Sequence, residues 1–130
     1  MARGKPEKGD DEGTIRLFIY SGRPDPEWKI EPTERKHLEQ LLRGVVNGDE
    51  VHPPPPGGLG YRGFLVRGVP LTRESASDVE VFRGVVTEHA GRRLRHWRDV
   101  SGVERWLLEQ ARRQGHDKIL EDEGLASEEE

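Results

Sequence analysis

The chain has 130 residues, 32% hydrophobic and 35% charged, with a net charge of −4 and no cysteine. That length fits one domain with a lean core, and the missing cysteine excludes disulfides and thiolate chemistry. No apolar run approaches the roughly 20 residues of a membrane helix, and residues 1–13 carry no apolar signal segment, so a cytoplasmic location and no membrane partner are expected.

Charge and hydrophobicity then divide the chain. Residues 1–13 are rich in charge and glycine and are expected to be a disordered tail. Residues 14–20 alternate, with Ile15, Leu17 and Ile19 on one face and Arg16, Phe18 and Tyr20 on the other, which predicts a half-buried strand. A stiff turn follows over residues 21–28, Ser21-Gly22-Arg23-Pro24-Asp25-Pro26-Glu27-Trp28. Leu38, Leu41, Leu42 and Val45 at i, i+3, i+4 and i+7 predict a helix over 34–44. Thr33 is its expected N-cap, Pro32 suits its first turn, and Gly44 or Gly48 is expected to end it. The loop 47–60 holds four consecutive prolines, 53–56, which favour an extended segment.

Strands are predicted over 61–69, over 79–87 and, after a turn at Gly91, over 92–98. The strand 79–87 is expected to place Val79, Val81 and Val85 on one face and Phe82 and Val86 on the other. Residues 79–99 would then form a hairpin. Ser101-Gly102-Val103-Glu104 matches a capping box and opens a last helix with Val103, Trp106, Leu107 and Ala111 on its core side and Gly115 at its end. Residues 117–130 hold one basic and seven acidic residues and are expected to be a solvated acidic tail, which leaves residues 13–116 mildly basic at +3. The order β-α-β-β-β-α predicts an α+β fold. A small, mostly antiparallel four-stranded sheet carries two helices on one face, in a single domain over 14–116 between disordered termini.

Few motifs carry chemistry. Gly58-Leu59-Gly60-Tyr61-Arg62-Gly63 spells G-x-G-x-x-G, but prolines precede it and a strand follows, so a dinucleotide site is rejected. The five histidines, at 37, 52, 89, 96 and 116, show no zinc spacing, and no metal or cofactor is expected. Prolines 53–56 lack flanking basic residues and are taken as a stiff spacer rather than a ligand for an aromatic groove. No constellation supports catalysis, so no catalytic residue is assigned.

The preferred site is the turn. Gly22 can adopt positive φ, Pro24 and Pro26 fix their own φ, and Arg23 and Trp28 are favoured anchors for binding. If the strand over 61–69 runs antiparallel to that over 14–20, Tyr61 and Arg62 lie beside the turn. The composite site is then Ser21, Gly22, Arg23, Asp25, Trp28, Tyr61 and Arg62, and the expected function is a non-enzymatic binding module for a protein or a small polar ligand. The opposing expectation is that Trp28 closes the core and Arg23 pairs with a carboxylate. The alternative function is nucleic-acid binding by Arg92, Arg93, Arg95, Trp97 and Arg98, where arginines hold phosphates and the ring stacks a base. An edge strand kept soluble by charge explains the same residues.

The segment Ser21-Gly22-Arg23-Pro24-x-Pro26-x-Trp28 after a short strand, with Leu59-Gly60-Tyr61-Arg62-Gly63-Phe64 further on, resembles a group of small uncharacterised microbial proteins carrying an S-G-R-P-x-P-x-W motif. The resemblance covers residues 14–115. It implies no activity, cofactor or catalytic residue and marks only which positions to test.

Overall fold

The computed structural model describes residues 13–20, 24–53, 55, 60–69, 78–90 and 92–125. Strand β1 (Thr14–Leu17) buries Ile15 and Leu17, and Ile19 follows them into the core, as the alternation requires. The predicted turn contains a strand of its own, β2 (Glu27–Lys29), which pairs antiparallel with β1 so that Trp28 lies opposite Ile15. A single apolar residue between Glu27 and Lys29 is too short an alternation to read as a strand without its partner.

Four more strands follow: β3 (Phe64–Arg67), β4 (Asp78–Phe82), β5 (Val85–Ala90) and β6 (Arg93–Arg98). The sheet is therefore six-stranded rather than four-stranded, in the order β2-β1-β3-β4-β5-β6 with every pair antiparallel. The predicted strand 79–87 is in fact two strands. Arg83 and Gly84, at φ 51° and 77°, make a two-residue turn whose twist matches the flanking strands. The turn resets the alternation. Val79, Val81 and Val86 face the core, while Phe82 and Val85 face the other way, which corrects the expected grouping. Gly91, the other expected turn, lies outside the described residues between β5 and β6.

Helix α1 (Pro32–Val46) is longer than predicted and begins after Glu31, not Thr33; the Glu34 carboxylate accepts the Glu31 amide at 3.4 Å. Leu38, Leu42 and Val45 are buried along its core stripe. Gly44 does not end the helix. It admits the Ser101 hydroxyl, which a Cβ at that position would meet at 2.5 Å. Helix α2 (Val103–Ala111) is capped by Asp99 instead of Ser101: its two carboxylate oxygens accept the amides of Val103 at 2.7 Å and Glu104 at 2.8 Å. A carboxylate two residues upstream of the apparent box reaches two amides at once, which a serine hydroxyl cannot.

After Ala111 the helix widens and breaks at Gly115 (φ 94°), and a short helix α3 (Asp117–Asp122) follows. Part of the expected acidic tail is thus built into the fold. Leu120 is fully buried and its carbonyl accepts the Leu125 amide at 2.8 Å. The acidic count concealed the apolar pair Ile119-Leu120 that anchors the segment. Residues 1–12 and 126–130, the outer parts of the expected disordered ends, lie outside the described residues.

The core lies on one face of the sheet. Cross-strand rows such as Leu17-Phe64-Val81-Val86-Trp97 meet Leu38, Leu42 and Val45 of α1 and Val103, Leu107 and Ala111 of α2. The chain that leaves α1 runs beside the outer edge of β6. Glu50 bridges Trp97, and the Val51 amide donates to the His96 carbonyl at 2.8 Å. Among the described residues, no helix is long and apolar enough to cross a membrane.

Replacing Asp99 with Ala removes the acceptor for two amides at the start of α2, and the expected loss is about 1–2 kcal/mol by urea denaturation. Ser101→Ala should change stability by well under half of that. Equal losses at the two positions would mean that Ser101 shares the cap.

Candidate functional site

The antiparallel register of β1 and β3 places the segment before β3 beside the end of β1. Arg62 and Asp25 meet there. The Arg62 amide donates to the Phe18 carbonyl at 2.7 Å, and its guanidinium donates to the carbonyls of Tyr20 at 2.6 Å and Gly60 at 3.0 Å. Asp25 Oδ1 accepts the amides of Ile19 at 2.9 Å and Tyr20 at 2.8 Å and lies 3.9 Å from Arg62 Nη2. These two residues hold the chain on either side of residues 21–23. Ser21, Gly22 and Arg23 themselves lie outside the described residues.

The remaining predicted site residues go elsewhere. Trp28 sits opposite Ile15 on the core side, its ring 5.7 Å from that of His116. Its indole Nε1 is buried with no hydrogen-bond partner among the described residues. Tyr61 packs edge-on to Phe64 and Phe82, with ring centroids 6.0 Å and 5.7 Å away. The structure therefore brings Asp25 and Arg62 together but directs Trp28 and Tyr61 to separate neighbours. Gly63 makes the approach possible. At φ 96° a Cβ would lie 2.4 Å from the Val81 carbonyl oxygen, a contact no side chain tolerates.

Tyr61 ends at Glu104, in the first turn of α2. The Tyr61 hydroxyl donates to Glu104 Oε2, and the same carboxylate accepts the amides of Arg83 at 3.2 Å and Gly84 at 2.8 Å. One side chain thus ties α2 to the β4–β5 turn and to the start of β3. Burial, followed by the Glu104 charge and the hydrogen bond to it, pushes the Tyr61 hydroxyl well above the ordinary tyrosine range. The sequence offered Glu104 only as half of a capping box, and nothing local to it signals a contact with Tyr61.

The arginine cluster divides as its alternation predicts, with Arg93, Arg95 and Trp97 on one face. Trp97 is only 2% exposed and packs beside Val86 in the core. The Arg95 guanidinium lies 4.9 Å from the Trp97 ring centroid and pairs with Glu50 at 3.0 Å. The ring offered for base stacking is therefore enclosed. Arg92, Arg93 and Arg98 are exposed.

A cleft lies on the other face of the sheet, the one away from the helices. It has a volume of about 300 Å³. Its floor is a polar row, Glu80-Thr87-His96, running across β4, β5 and β6. Phe82 and Val85 flank the row on one side, and His89 and Leu94 flank it on the other. Pro53 and Pro55 line it from the segment beyond α1, and Arg62 also contributes. Thr87 Oγ1 and His96 Nδ1 are 2.8 Å apart, which fixes the imidazole. His89 Nε2 lies 3.3 Å from Glu80 Oε2.

Of the predicted site residues that the structure describes, only Arg62 reaches this cleft. Its other lining residues carried a weak signal. Once the turn at Arg83 and Gly84 is placed, Glu80, Phe82, Val85, Thr87 and His89 fall on one face, and that face mixes polar and apolar groups instead of being uniformly solvated. Two further hollows, of about 290 and 220 Å³, flank the stacked rings of His37 and Trp106 on the helical side. Among the described residues no three histidine, aspartate or glutamate side chains gather as metal ligands would. No family model, no curated protein and no solved structure matches the chain.

The Tyr61 contact predicts how stability depends on pH. Its hydroxyl holds the proton more tightly folded than unfolded, so the stabilisation is full below the unfolded value of about 10 and is lost as pH rises beyond it. Tyr61→Phe should destabilise the protein by about 1 kcal/mol at neutral pH. It should also remove a loss of roughly 1.4 kcal/mol per pH unit above pH 10. Parallel alkaline unfolding curves for the two proteins would contradict the assignment.

Proposed function

We propose that this protein is a non-enzymatic binding module and that its ligand sits in the cleft on the outer sheet face. The supporting observation is the cleft itself. A preformed hollow of about 300 Å³ carries a polar row between apolar flanks and is bordered by two prolines. That volume stands at the small end of ligand sites, so the ligand is a small molecule rather than a protein loop. Most of the wall comes from three hydrogen-bonded strands, which hold their side chains in place before binding and keep the ordering cost low.

This reading moves the site from the turn to the sheet and gives the turn a supporting part. Asp25 secures the end of β1, and Arg62 links that end to the cleft. Arg62 is therefore shared between the two arrangements.

The test is a fragment screen on isotope-labelled protein, read by amide chemical shifts. Binding is expected to move Phe82, Val85, Thr87, His89 and His96 together. Val85→Trp, which fills the hollow, should abolish those shifts without changing the far-ultraviolet circular dichroism. Fragments that move only residues around Trp106, and leave the sheet face still, would place the site between the helices and overturn the reading.

A further inference from the structure

We infer that the ligand of this cleft is a small zwitterion, of the amino-acid or dipeptide class, held by Arg62 at its carboxylate and Glu80 at its ammonium group. The inference rests on the cleft being the binding site and adds the chemistry of what enters it. Among the described lining residues the fixed charges are one cation, Arg62, and one anion, Glu80. A ligand with one charge of each sign satisfies both, whereas a ligand with a single charge leaves one of them facing an unmatched group.

Arg62 is engaged at Nη2 by the Tyr20 carbonyl and at Nε by the Gly60 carbonyl, which leaves Nη1 for a ligand, and neither Arg62 nor Glu80 is closed off by the charged or titratable group beside it. Asp25 stands 3.9 Å from Arg62 Nη2, and its Oδ1 already accepts two backbone amides. Glu80 faces His89 at 3.3 Å, and an imidazole is a cation only when protonated. Both side chains keep solvent contact, 33% exposed for Arg62 and 47% for Glu80.

Their placement also suits a ligand with separated charges. Glu80 precedes Phe82 by two residues on β4, about 7 Å along the strand. Continuing the register Phe64↔Val81 puts Gly63 opposite Phe82, so Arg62 lies beyond Phe82 on the side away from Glu80. Phe82 and Val85 then lie under the middle of the ligand, where an apolar side chain would rest. The long arms of Arg62 and Glu80 shorten the gap that the ligand must span. Thr87 and His96, hydrogen-bonded to each other, supply polar groups beside it, which suit a peptide or carboxylate edge.

The experiment is a set of titrations on the full chain, followed by amide chemical shifts, with leucine and glycyl-leucine as zwitterions. Leucinamide lacks the carboxylate charge, and N-acetylleucine lacks the ammonium. At least one zwitterion is expected to move Phe82, Thr87 and His96, with both capped compounds at least about tenfold weaker. Glu80→Gln should weaken the zwitterion about tenfold and leave N-acetylleucine unchanged, and Arg62→Lys, which keeps the charge, should retain most of the binding. Capped compounds that bind as well as the zwitterions would overturn this inference while leaving the cleft as the site. If none of the four moves the sheet face, the zwitterion is overturned as well, and the fragment screen separately decides whether the cleft binds anything. A folded Glu80→Gln protein with undiminished zwitterion affinity would also overturn it.

Discussion

The carboxylate of Glu104 is the interaction on which the arrangement of this fold turns. It accepts from the Tyr61 hydroxyl and from the amides of Arg83 and Gly84. Three segments distant in sequence converge on it: the chain entering β3, the tight turn between β4 and β5, and the start of α2. Its position in the first helical turn also suits the positive end of the helix. Asp99 performs the neighbouring task by holding the amides of Val103 and Glu104 itself. Two carboxylates in sequence therefore fix the helix and then fix the sheet to it. The β4–β5 turn lies inside the antiparallel meander of β3 to β6, so that anchorage fixes the meander to α2 part-way along its course.

The sheet has two unlike faces. One carries rows of Val, Leu, Ile and Phe beneath α1 and α2, which is the ordinary solution for covering an apolar surface. The other carries Glu80, Thr87 and His96 in a line, with apolar neighbours on both sides. This face meets solvent, and it combines a polar floor, apolar flanks and a defined hollow.

Much of the architecture was legible in the chain. The alternation Ile15, Leu17, Ile19 and the helical stripe Leu38, Leu41, Leu42, Val45 are local patterns; both appear, with Leu41 only partly buried at the margin of the core. Features that depend on partners were not legible. Glu27–Lys29 becomes a strand only because β1 offers an edge. Asp99 outcompetes Ser101 because the backbone turns so that both carboxylate oxygens reach amides. Ile119 and Leu120 were obscured by acidic neighbours, since charge counts do not register where two apolar residues dock. The site followed the same rule. Asp25 and Arg62 came together through an antiparallel register that could be stated in advance as a condition, whereas the Glu80-Thr87-His96 row needed a turn that splits one expected strand into two.

The bridge between Glu50 and Trp97 has a consequence for how molecules of this protein meet. An open antiparallel sheet invites a further strand at each border, whether from a peptide or from another copy. At the β6 border, Glu50 and Val51 already occupy part of the backbone hydrogen-bonding row. At the β2 border the exposed strand is three residues long and follows Pro24 and Pro26, which leave few donors to template a neighbour. Both borders are blunted by the protein's own chain, so the sheet is finite by construction and association by strand addition is disfavoured at either end.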